Sequence, residues 1–524
     1  MQSAPEAEAE TDDDQDLAVD DALALVREAR ADAERGRAAH AHPGPSPAQG
    51  HPGPGPSSSP ADRQVAAQHT SAKGQPAPSP TGSATVPAPT SGHQQKHRPH
   101  DTPWPKARSR AEAAGRAARA AAEKAAAERA ATEKAAAGKA IAEKATAGQA
   151  GTEKFAPSVP LDRALGLVLA APLTALTDLP SFDTSAMDGW AVAGPGPWTV
   201  RAEGVLAGHA LPEPLADGEA VRIATGARIP RDATGVLRSE HGRADDKGRL
   251  HAQREVVPGQ DIRPRGQECR SGDLLLPART PVTPAVLGLA AAAGYDALSV
   301  FPRPRVEVLV LGDELLTEGL PRDGLIRDAL GPMLPSWLRA LGAEVTAVQR
   351  LGDDAQALHQ AIAESAADLV VTTGGTAAGP VDHVHPTLRA LGAELLVDGV
   401  QVRPGHPMLL ARLDGNRHLV GLPGNPLAAV SGLLTLAEPL LRTLSGGLAP
   451  EPLRTPTRDE IHGHPYDTRL VPVTLRADEA VPLRFNGPAM LRGVAVADGL
   501  AVVPPGGAPQ GQELEILELP WGMC

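Results

Sequence analysis

Apolar residues are unevenly distributed along this chain, and their pattern changes near residue 157. Between residues 303 and 446, short runs of Val, Leu and Ile alternate with segments in which apolar residues recur every three or four positions. The runs predict buried strands and the segments predict amphipathic helices. Strands separated by about 10 to 15 helical residues indicate a mostly parallel, doubly wound α/β sheet. We predict strands at 305–311, 343–348, 368–373, 395–402, 408–413 and 418–422, and helices at 328–341, 354–365, 381–391 and 426–444.

The regions on either side of this domain give weaker patterns. Residues 281–294 predict a helix, because Thr283 suits an N-cap and Gly294 suits the left-handed position after the last turn. Residues 158–178 predict another helix. Short Val and Ile runs broken by Gly, Pro and Asp predict a small β domain over 179–267 and further strands after residue 450, including 469–475 and 499–503.

The first 105 residues lack the composition of a folded core. Residues 40–105 consist mainly of Pro, Ser, Gly, His and Gln, so they cannot bury enough apolar surface to offset the entropy lost on ordering. We therefore predict a mostly disordered arm over 1–105. Residues 16–36 are an exception, since Leu and Val cluster there beside charged residues. They form either a short docking helix or a lone, marginally stable helix.

Residues 106–154 form a second low-complexity segment, which is rich in Ala, Glu and Lys. Charged pairs recur mostly every five residues from position 123 onward, and a five-residue step advances about 140° around an α-helix. The charges therefore spiral around the helix and leave no continuous apolar stripe of the kind that a coiled coil needs. We predict a semi-rigid helical spacer rather than a partner-binding helix.

Composition excludes several functions. The net charge of −13 argues against a general nucleic-acid-binding protein. The sequence shows no run of about 18 apolar residues and no signal-peptide pattern, so we predict a cytoplasmic protein without membrane contact. Two cysteines, Cys269 and Cys524, cannot supply a disulfide framework.

The most informative segment is VTTGGTAAGPVD at 371–382, which begins in a predicted strand and continues beyond it. Ligands of open α/β sheets bind where such strands end. Gly374, Gly375 and Gly379 permit positive φ and close backbone approach, so their amides can converge on an anion. Asp382 adds a carboxylate that suits a metal ion. Two alternatives stay open: the glycines form a plain turn, and Asp382 caps the following helix.

Two further motifs follow predicted strands. Asp313 and Glu314 end the strand 305–311, where an acidic side chain is costly unless it is solvated or bound to a metal. The motif LPGNP at 422–426 joins a strand to the helix 426–444. Its prolines stiffen the turn, its glycine permits close backbone approach, and the helix N-terminus favours an anion. A tight turn between strand and helix is the alternative explanation.

These motifs resemble those of the molybdopterin molybdenumtransferase family, which includes MoeA and the gephyrin E domain. The shared order is SAMDG at 185–189, GDEL at 312–315 and LPGNP at 422–426, with the glycine loop and RPGHP at 403–407 between the last two. The resemblance covers residue 158 to the C-terminus. It implies an elongated, homodimeric subunit with four parts: a composite domain from 158–178 and 268–302, a β domain over 179–267, a molybdopterin-binding α/β domain over 303–446 and a C-terminal β domain over 450–524.

The resemblance also implies the chemistry. Family members bind adenylylated molybdopterin and molybdate, and cleave the adenylate in a metal-dependent step that releases AMP. The expected cofactor is therefore Mg²⁺ or another divalent cation. The expected catalytic residues are Asp188, Thr225, Glu314 and Asp382, of which Glu314 and Asp382 are the expected metal ligands. The expected substrate-binding residues are Gly374, Gly375, Gly379, Arg403, Gly405, His406, Pro423, Gly424, Asn425, Pro426 and Arg469.

The chain departs from the family pattern where molybdate is expected to bind. Arg403 and His406 stand where the family has lysines, and Ala377, Ala428 and Pro488 stand where it has serines. Arginine keeps a positive charge, whereas histidine is mostly neutral at pH 7 in an ordinary environment. Two functions therefore remain: a working molybdenumtransferase with a modified oxyanion site, or a divergent paralogue that acts as a pterin-binding chaperone or protein scaffold. The long N-terminal arm favours a protein partner.

Overall fold

The computed structural model describes residues 101–140, 157–208, 212–377 and 382–521, without the side chains of 129–140. These residues belong to one compact unit, Pro99–Cys524. The arm up to residue 100, which includes the candidate helix 16–36, lies outside the described residues, as do Gly379 and the end of the predicted spacer.

Most helices lie in the α/β part of the chain. In chain order they are α1 (Trp104–Ala140), α2 (Leu161–Ala164), α3 (Pro284–Ala292), α4 (Leu330–Ala340), α5 (Ala355–Glu364), α6 (Val384–Ala390), α7 (Pro426–Gly432) and α8 (Glu438–Leu444). A π-helical turn, Leu433–Ala437, joins α7 to α8, and 3₁₀ turns occupy Ser239–His241 and Val494–Val496.

The strands are short in the first half of the described chain and longer in the second. Up to residue 311 they are β1 (Thr102–Pro103), β2 (Ser158–Pro160), β3 (Val168–Leu169), β4 (Leu173–Thr174), β5 (Thr184–Ser185), β6 (Gly189–Val192), β7 (Trp198–Val200), β8 (Glu219–Ile223), β9 (Gly235–Arg238), β10 (Gly242–Ala244), β11 (Arg249–Ala252), β12 (Ile262–Arg263), β13 (Leu274–Leu276), β14 (Ala297–Phe301) and β15 (Arg305–Leu311).

After residue 311 they are β16 (Leu315–Leu316), β17 (Ile326–Arg327), β18 (Glu344–Leu351), β19 (Leu369–Thr373), β20 (Glu394–Asp398), β21 (Val400–Arg403), β22 (Leu409–Arg412), β23 (His418–Leu422), β24 (Leu453–Pro456), β25 (Ile461–His462), β26 (Thr468–Arg476), β27 (Glu479–Pro482), β28 (Gly499–Val503), β29 (Gly507–Ala508) and β30 (Glu513–Glu518).

The predicted doubly wound sheet is confirmed. Its strand order is β18-β15-β19-β23-β22-β20, in which the first four strands are parallel, β22 runs antiparallel to β23, and β20 pairs antiparallel with β22. Helices cover both faces, because β15 alternates apolar side chains between two cores. Val308 and Val310 pack with α4, α7 and α8, whereas Leu309 packs with Leu358 of α5 and Leu388 of α6. A strand buried on both faces has the continuous apolar sequence that made it predictable.

The continuous helical segment Pro426–Leu444 is long and apolar enough to cross a membrane by those criteria alone. In this fold it is a core helix, since 83% of its apolar stretch is buried inside the protein. It packs against the parallel sheet on one side and against α1 on the other.

Three further sheets of three or more strands accompany the doubly wound sheet, together with the two-stranded pairs β12-β5, β13-β4, β16-β17 and β25-β29. The strands from 189 to 252 form an open β sheet in the order β10-β11-β7-β8-β6-β9. The strands β2, β14 and β3 pair antiparallel, so that residues 158–169 join residues 297–301. The C-terminal strands form a mixed sheet in the order β1-β21-β26-β28-β30-β24, with β27 paired to β26.

The predicted helix 281–294 forms as α3, with the expected ends. The Thr283 hydroxyl accepts the backbone N–H of Val286 at 3.3 Å, and Gly294 has a φ of +100°. The predicted helix 158–178 is wrong, because only the single turn α2 forms there. Gly166, with a φ of +73°, turns the chain, and the flanking segments pair with β14 instead.

The prediction of a free spacer is also wrong for the first half of α1. Trp104, Ala107, Ala111, Ala114 and Ala118 are buried against the core, at spacings of three or four residues. These alanines form a narrow apolar stripe, which the charge pattern after residue 123 does not interrupt.

The crossing of α1 over α8 is close. A side chain at Gly115 would meet the Leu440 carbonyl oxygen at 2.6 Å and would collide with the Thr443 hydroxyl. Polar contacts reinforce the packing: the Trp104 indole N–H donates to the Thr435 hydroxyl at 3.0 Å, and Arg442 donates to Glu112 at 2.9 Å. Residues 102–118 are therefore an integral part of the α/β domain.

We predict that Gly115→Leu lowers the free energy of unfolding by about 1–3 kcal/mol, because it overpacks the crossing of α1 and α8. Ala117→Leu on the exposed side of the same helix is the matched control and leaves stability unchanged. Thermal and denaturant melts of both variants test this. Equal stability of the two variants would show that α1 does not pack on α8 in solution.

Strand β23 contains a buried histidine that makes stability depend on pH. His418 is 1% exposed, and burial lowers its pKa from 6.5 to about 4, although a hydrogen bond with the Asn416 backbone opposes the shift. The unfolded chain therefore binds a proton that the folded chain excludes, and stability falls as pH drops below 6.5 toward 4.

Linkage puts this loss at about 2 kcal/mol between pH 7 and pH 5. We predict that His418→Gln removes this part of the pH dependence of the free energy of unfolding. His462→Gln, at an exposed histidine, leaves the pH dependence unchanged. Denaturant titrations at pH 7 and pH 5 measure the free energy of unfolding at each pH. An equal change between the two pH values in wild type and His418→Gln would contradict the prediction.

Candidate active site

A small cavity of about 110 Å³ lies where the parallel strands β15, β18 and β19 end. Its walls combine acidic groups, glycines and one histidine: Leu311, Gly312, Glu314, Gly352, Asp353, Asp354, Leu358, Gly374, Gly375 and His383. This is the edge at which open α/β sheets bind ligands. The structure thus brings Glu314 together with Gly374 and Gly375, as the sequence predicts.

The glycine loop and the LPGNP motif are neighbours at this edge. Gly374 and Gly375 have φ values of +79° and +62°, in the left-handed region that favours glycine. The Gly374 N–H donates to the Leu422 carbonyl at 2.8 Å. A Cβ at Gly424 would lie 3.7 Å from the Gly374 Cα, so the two loops approach each other through their backbones.

The acidic side chains that follow β15 occupy space beside glycines. A Cβ at Gly312 would collide with the Glu314 carboxylate, and one at Gly352 would collide with the Asp313 carboxylate. Both glycines therefore make the space that these side chains occupy. Asp353 follows β18 and faces the same cavity, whereas Asp354 caps α5 by accepting the N–H groups of Gln356 and Ala357.

Asp382 is not among the residues that line this cavity. One of its oxygens accepts the Val384 N–H at 3.1 Å, at the first residue of α6, although the N-cap position of that helix is His383. The other lies 2.9 Å from Nδ1 of His385, whose Nε2 is 2.8 Å from Asp398. The bond to Asp398, supported by Asp382, raises the pKa of His385, although burial opposes the shift.

Metal-ligating side chains do not converge in the described part of the chain. Among those residues, no group of three or more His, Cys, Asp or Glu side chains is placed to hold a metal ion. The pairing of Glu314 with Asp382 at a metal stays a prediction, and the oxygens of Asp382 have other partners in this structure.

Asp188 and Thr225 come together in the open β sheet. The Thr225 N–H donates to the Asp188 carboxylate at 2.7 Å, between the start of β6 and the end of β8. Neither residue lines the cavity beside Glu314. Of the expected catalytic residues, Asp188 and Thr225 therefore lie together, Glu314 lines the cavity, and Asp382 lies outside its lining.

Arg403 and Arg469 lie side by side, because their strands β21 and β26 pair in parallel with these two residues in register. Each guanidinium is held by the C-terminal domain. Arg403 Nε donates to the Asp467 carboxylate at 2.8 Å, and Arg469 Nη2 donates to the Asn486 side-chain oxygen at 3.0 Å. Sequence reasoning missed Asp467, since its contact with Arg403 depends on how the strands pair.

The sequence predicts that His406 faces molybdate. In the structure, both of its ring nitrogens lie beside protein groups. Its Nδ1 lies 3.0 Å from the Val400 carbonyl oxygen, and its Nε2 lies 3.7 Å from the Asp101 carboxylate. The carbonyl can only accept, so Nδ1 is the donor of that hydrogen bond. Gly405 packs beneath the loop, where a Cβ would lie 3.0 Å from the Ala428 carbonyl oxygen. These contacts count against a direct role of His406 toward an oxyanion.

The N-terminus of α7 is covered by the backbone at Pro488. The N–H groups of Leu427 and Ala428 donate to the Pro488 carbonyl at 2.9 and 3.2 Å, and the Asn425 side chain makes no capping bond. Pro423 and Pro426 flank this turn, as predicted. The expectation that the helix N-terminus faces an anion is therefore wrong for these two N–H groups, which the C-terminal domain satisfies instead.

The fold and site define a multidomain α/β protein with glycine-rich loops and an acidic cavity at the edge of its parallel sheet. Family models match most of the folded part: the MoeA N-terminal region (domain I and II) matches residues 120–294, the probable molybdopterin binding domain matches 307–443, and the MoeA C-terminal region (domain IV) matches 454–519. The chain belongs to the MoeA family of molybdopterin molybdenumtransferases, which confirms the resemblance noted in its motifs.

Individual relatives agree with these matches. The molybdopterin molybdenumtransferase of Staphylococcus aureus (strain COL) is 29% identical over 386 residues, which cover 69% of this chain and 90% of the relative. Molybdopterin molybdenumtransferase 2 of Mycobacterium tuberculosis (strain ATCC 25618 / H37Rv) is 37% identical over 316 residues, covering 57% and 76%. The structure of the molybdopterin biosynthesis MoeA protein from Pyrococcus horikosii aligns with a TM-score of 0.58 and 26% identity, over 69% of this chain and 94% of that one.

Proposed function

We propose that this protein inserts molybdenum from molybdate into adenylylated molybdopterin and releases AMP, as a step of molybdenum cofactor biosynthesis. The observation that carries the proposal is that Glu314, Gly374 and Gly375 line one cavity at the sheet edge and that the LPGNP loop adjoins Gly374, all inside the region that matches the molybdopterin binding domain. The names of the two relatives point to the same transferase activity.

The proposed chemistry is the cleavage of a phosphoanhydride beside a second anion. Backbone N–H groups of the loops around Gly375 and Gly424 suit the phosphate oxygens, since the chain can approach them closely there, whereas the Gly374 N–H already donates to Leu422. Negative charge grows on the leaving phosphate, and preorganised donors near that charge lower the barrier. Arg403 and Arg469 supply positive charge for the tetrahedral oxyanion.

A divalent cation is part of the proposal, with Mg²⁺ as the first choice. The described residues do not fit a preformed metal site around Glu314, since no three His, Cys, Asp or Glu side chains among them are placed to hold a metal ion together. We therefore assign no step of the reaction to a metal held by these residues.

We also propose that the protein works as a cytoplasmic homodimer. The pair Asp188 and Thr225 lies in the open β sheet, apart from the cavity that Glu314 lines. The family resemblance marks residues in both places as catalytic. A complete active site would then combine residues from separate parts of the protein. Ultracentrifugation of the purified chain measures the oligomeric state.

One observation favours the second function, that of a pterin-binding chaperone or scaffold. The Pro488 carbonyl covers the start of α7, where the family has serine positions, and Asp382 is bonded to His385. The deciding experiment adds purified protein to adenylylated molybdopterin, molybdate and Mg²⁺. Release of AMP with formation of active cofactor supports the transferase. Binding of the pterin nucleotide without AMP release supports the chaperone instead.

We predict that Glu314→Gln lowers the rate of AMP release by about 100-fold or more, because a neutral amide cannot act as a base or stabilise a cationic group. Glu318→Gln, at an exposed glutamate four residues further along, is the matched control and keeps the wild-type rate. Single-turnover assays with the pterin nucleotide bound separate the chemical step from binding. Wild-type rates for Glu314→Gln would remove this residue from the catalytic machinery.

A further inference from the structure

The carboxylate of Asp467 is an unusual neighbour for a proposed anion site. It is 4% exposed and accepts the Nε–H of Arg403 at 2.8 Å. Nδ1 of His464 also lies close, at 3.4 Å, but that nitrogen accepts the backbone N–H of Asp467 at 3.0 Å. Because an accepting imidazole nitrogen carries no hydrogen, His464 does not donate to Asp467 through it. Arg403 is therefore the cation that Asp467 binds.

This bond fixes a side chain that is otherwise flexible. Arginine has several rotatable bonds, and its planar guanidinium binds oxyanions well only when the plane is correctly oriented. A hydrogen bond to Nε at a buried carboxylate fixes the plane and, with it, the direction of the Nη groups. The neighbouring Arg469 is held in the same way, through Nη2 to Asn486 and Nη1 to the His462 carbonyl at 2.6 Å.

We propose that Asp467 is a positioning residue for oxyanion binding: it orients the Arg403 guanidinium beside Arg469, so that the pair recognises a tetrahedral oxyanion such as molybdate. The inference rests on the proposed function for the identity of the anion. The alternative is a simpler role, in which Asp467 only neutralises the positive charge of Arg403. The two roles predict opposite signs: losing an orienting group weakens oxyanion binding, whereas losing a neutralising charge strengthens it.

The test compares Asp467→Ala with Asp467→Asn in the full chain. Removing a hydrogen bond to a charged group weakens an interaction by about tenfold or more, so Asp467→Ala raises the KM for molybdate about tenfold while kcat stays within about twofold. Asp467→Asn restores most of the wild-type KM, because its amide oxygen still accepts the Arg403 Nε–H. We expect calorimetric titration with molybdate alone to rank the affinities in the same order: wild type tightest, Asp467→Asn close to it, and Asp467→Ala weakest.

Asp498→Ala is the control for a purely structural effect. The Asp498 carboxylate accepts the Leu475 N–H at 2.7 Å in the same C-terminal sheet, so its loss lowers the thermal midpoint without touching Arg403. Its KM for molybdate stays at the wild-type value. An equal rise of KM in Asp498→Ala and Asp467→Ala would assign Asp467 a structural role only.

Other outcomes separate this inference from the proposed function. A lower KM or tighter molybdate binding in Asp467→Ala would show that the carboxylate neutralises Arg403, and the positioning role would be wrong. Wild-type protein that binds molybdate but releases no AMP would overturn the proposed transferase, while weaker binding by Asp467→Ala would still support the positioning role. Wild-type protein that binds no molybdate in the calorimeter would overturn the positioning role.

Discussion

The hydrogen bonding of one short strand, β21 at Val400–Arg403, connects three parts of the chain. On one side it pairs with β1, where the Thr102 N–H donates to the Gly399 carbonyl at 3.0 Å. On the other side it pairs with β26 of the C-terminal domain. A four-residue strand has few backbone bonds, each worth about 1 kcal/mol, and losing a neighbour leaves buried groups without partners. The position of Arg403 therefore depends on both the N-terminal segment and the C-terminal sheet.

The sequence predicted the parallel sheet well because burial on both faces leaves a clear signal. Strand β19 is five buried residues, and its predicted range, 368–373, differs from the observed one by a single residue. The failure at 158–178 has the opposite cause. There, a sequence rich in Leu and Ala satisfies a helical pattern locally, while pairing with β14 across more than 100 residues decides the structure.

The small size of alanine explains why the sequence pattern did not predict the packing of α1. A stripe of alanines buries little area per residue, and the repeat of charged pairs after residue 123 dominates the periodicity of the segment. Small side chains nevertheless let two helices approach closely, and Gly115 sits at the closest point over α8. The local composition of a spacer and of a tightly packed helix is the same, so the difference lies in the complementary surface of α8, which is more than 300 residues away.

The candidate site was predictable only in part, for a related reason. Residues at the carboxyl ends of strands, such as Glu314 and Gly374, follow from a general rule of open sheets. Asp353 obeys the same rule, directly after β18, and the sequence contains that signal. Asp467 obeys no local rule, because it reaches Arg403 from the C-terminal domain.

The charges of the oxyanion region show why contacts matter more than residue types here. Counting Arg403 as a replacement for a lysine suggests the same positive charge, but its guanidinium is paired with the buried Asp467 carboxylate, and the His406 ring lies beside the buried Asp101 carboxylate. Paired cations attract a dianion less strongly from a distance than isolated ones do, since the opposite charges cancel beyond a few ångströms. Binding in this region then depends on short-range hydrogen bonds with fixed directions. An orienting carboxylate is useful in that situation, whereas in a site dominated by long-range attraction it would only weaken binding.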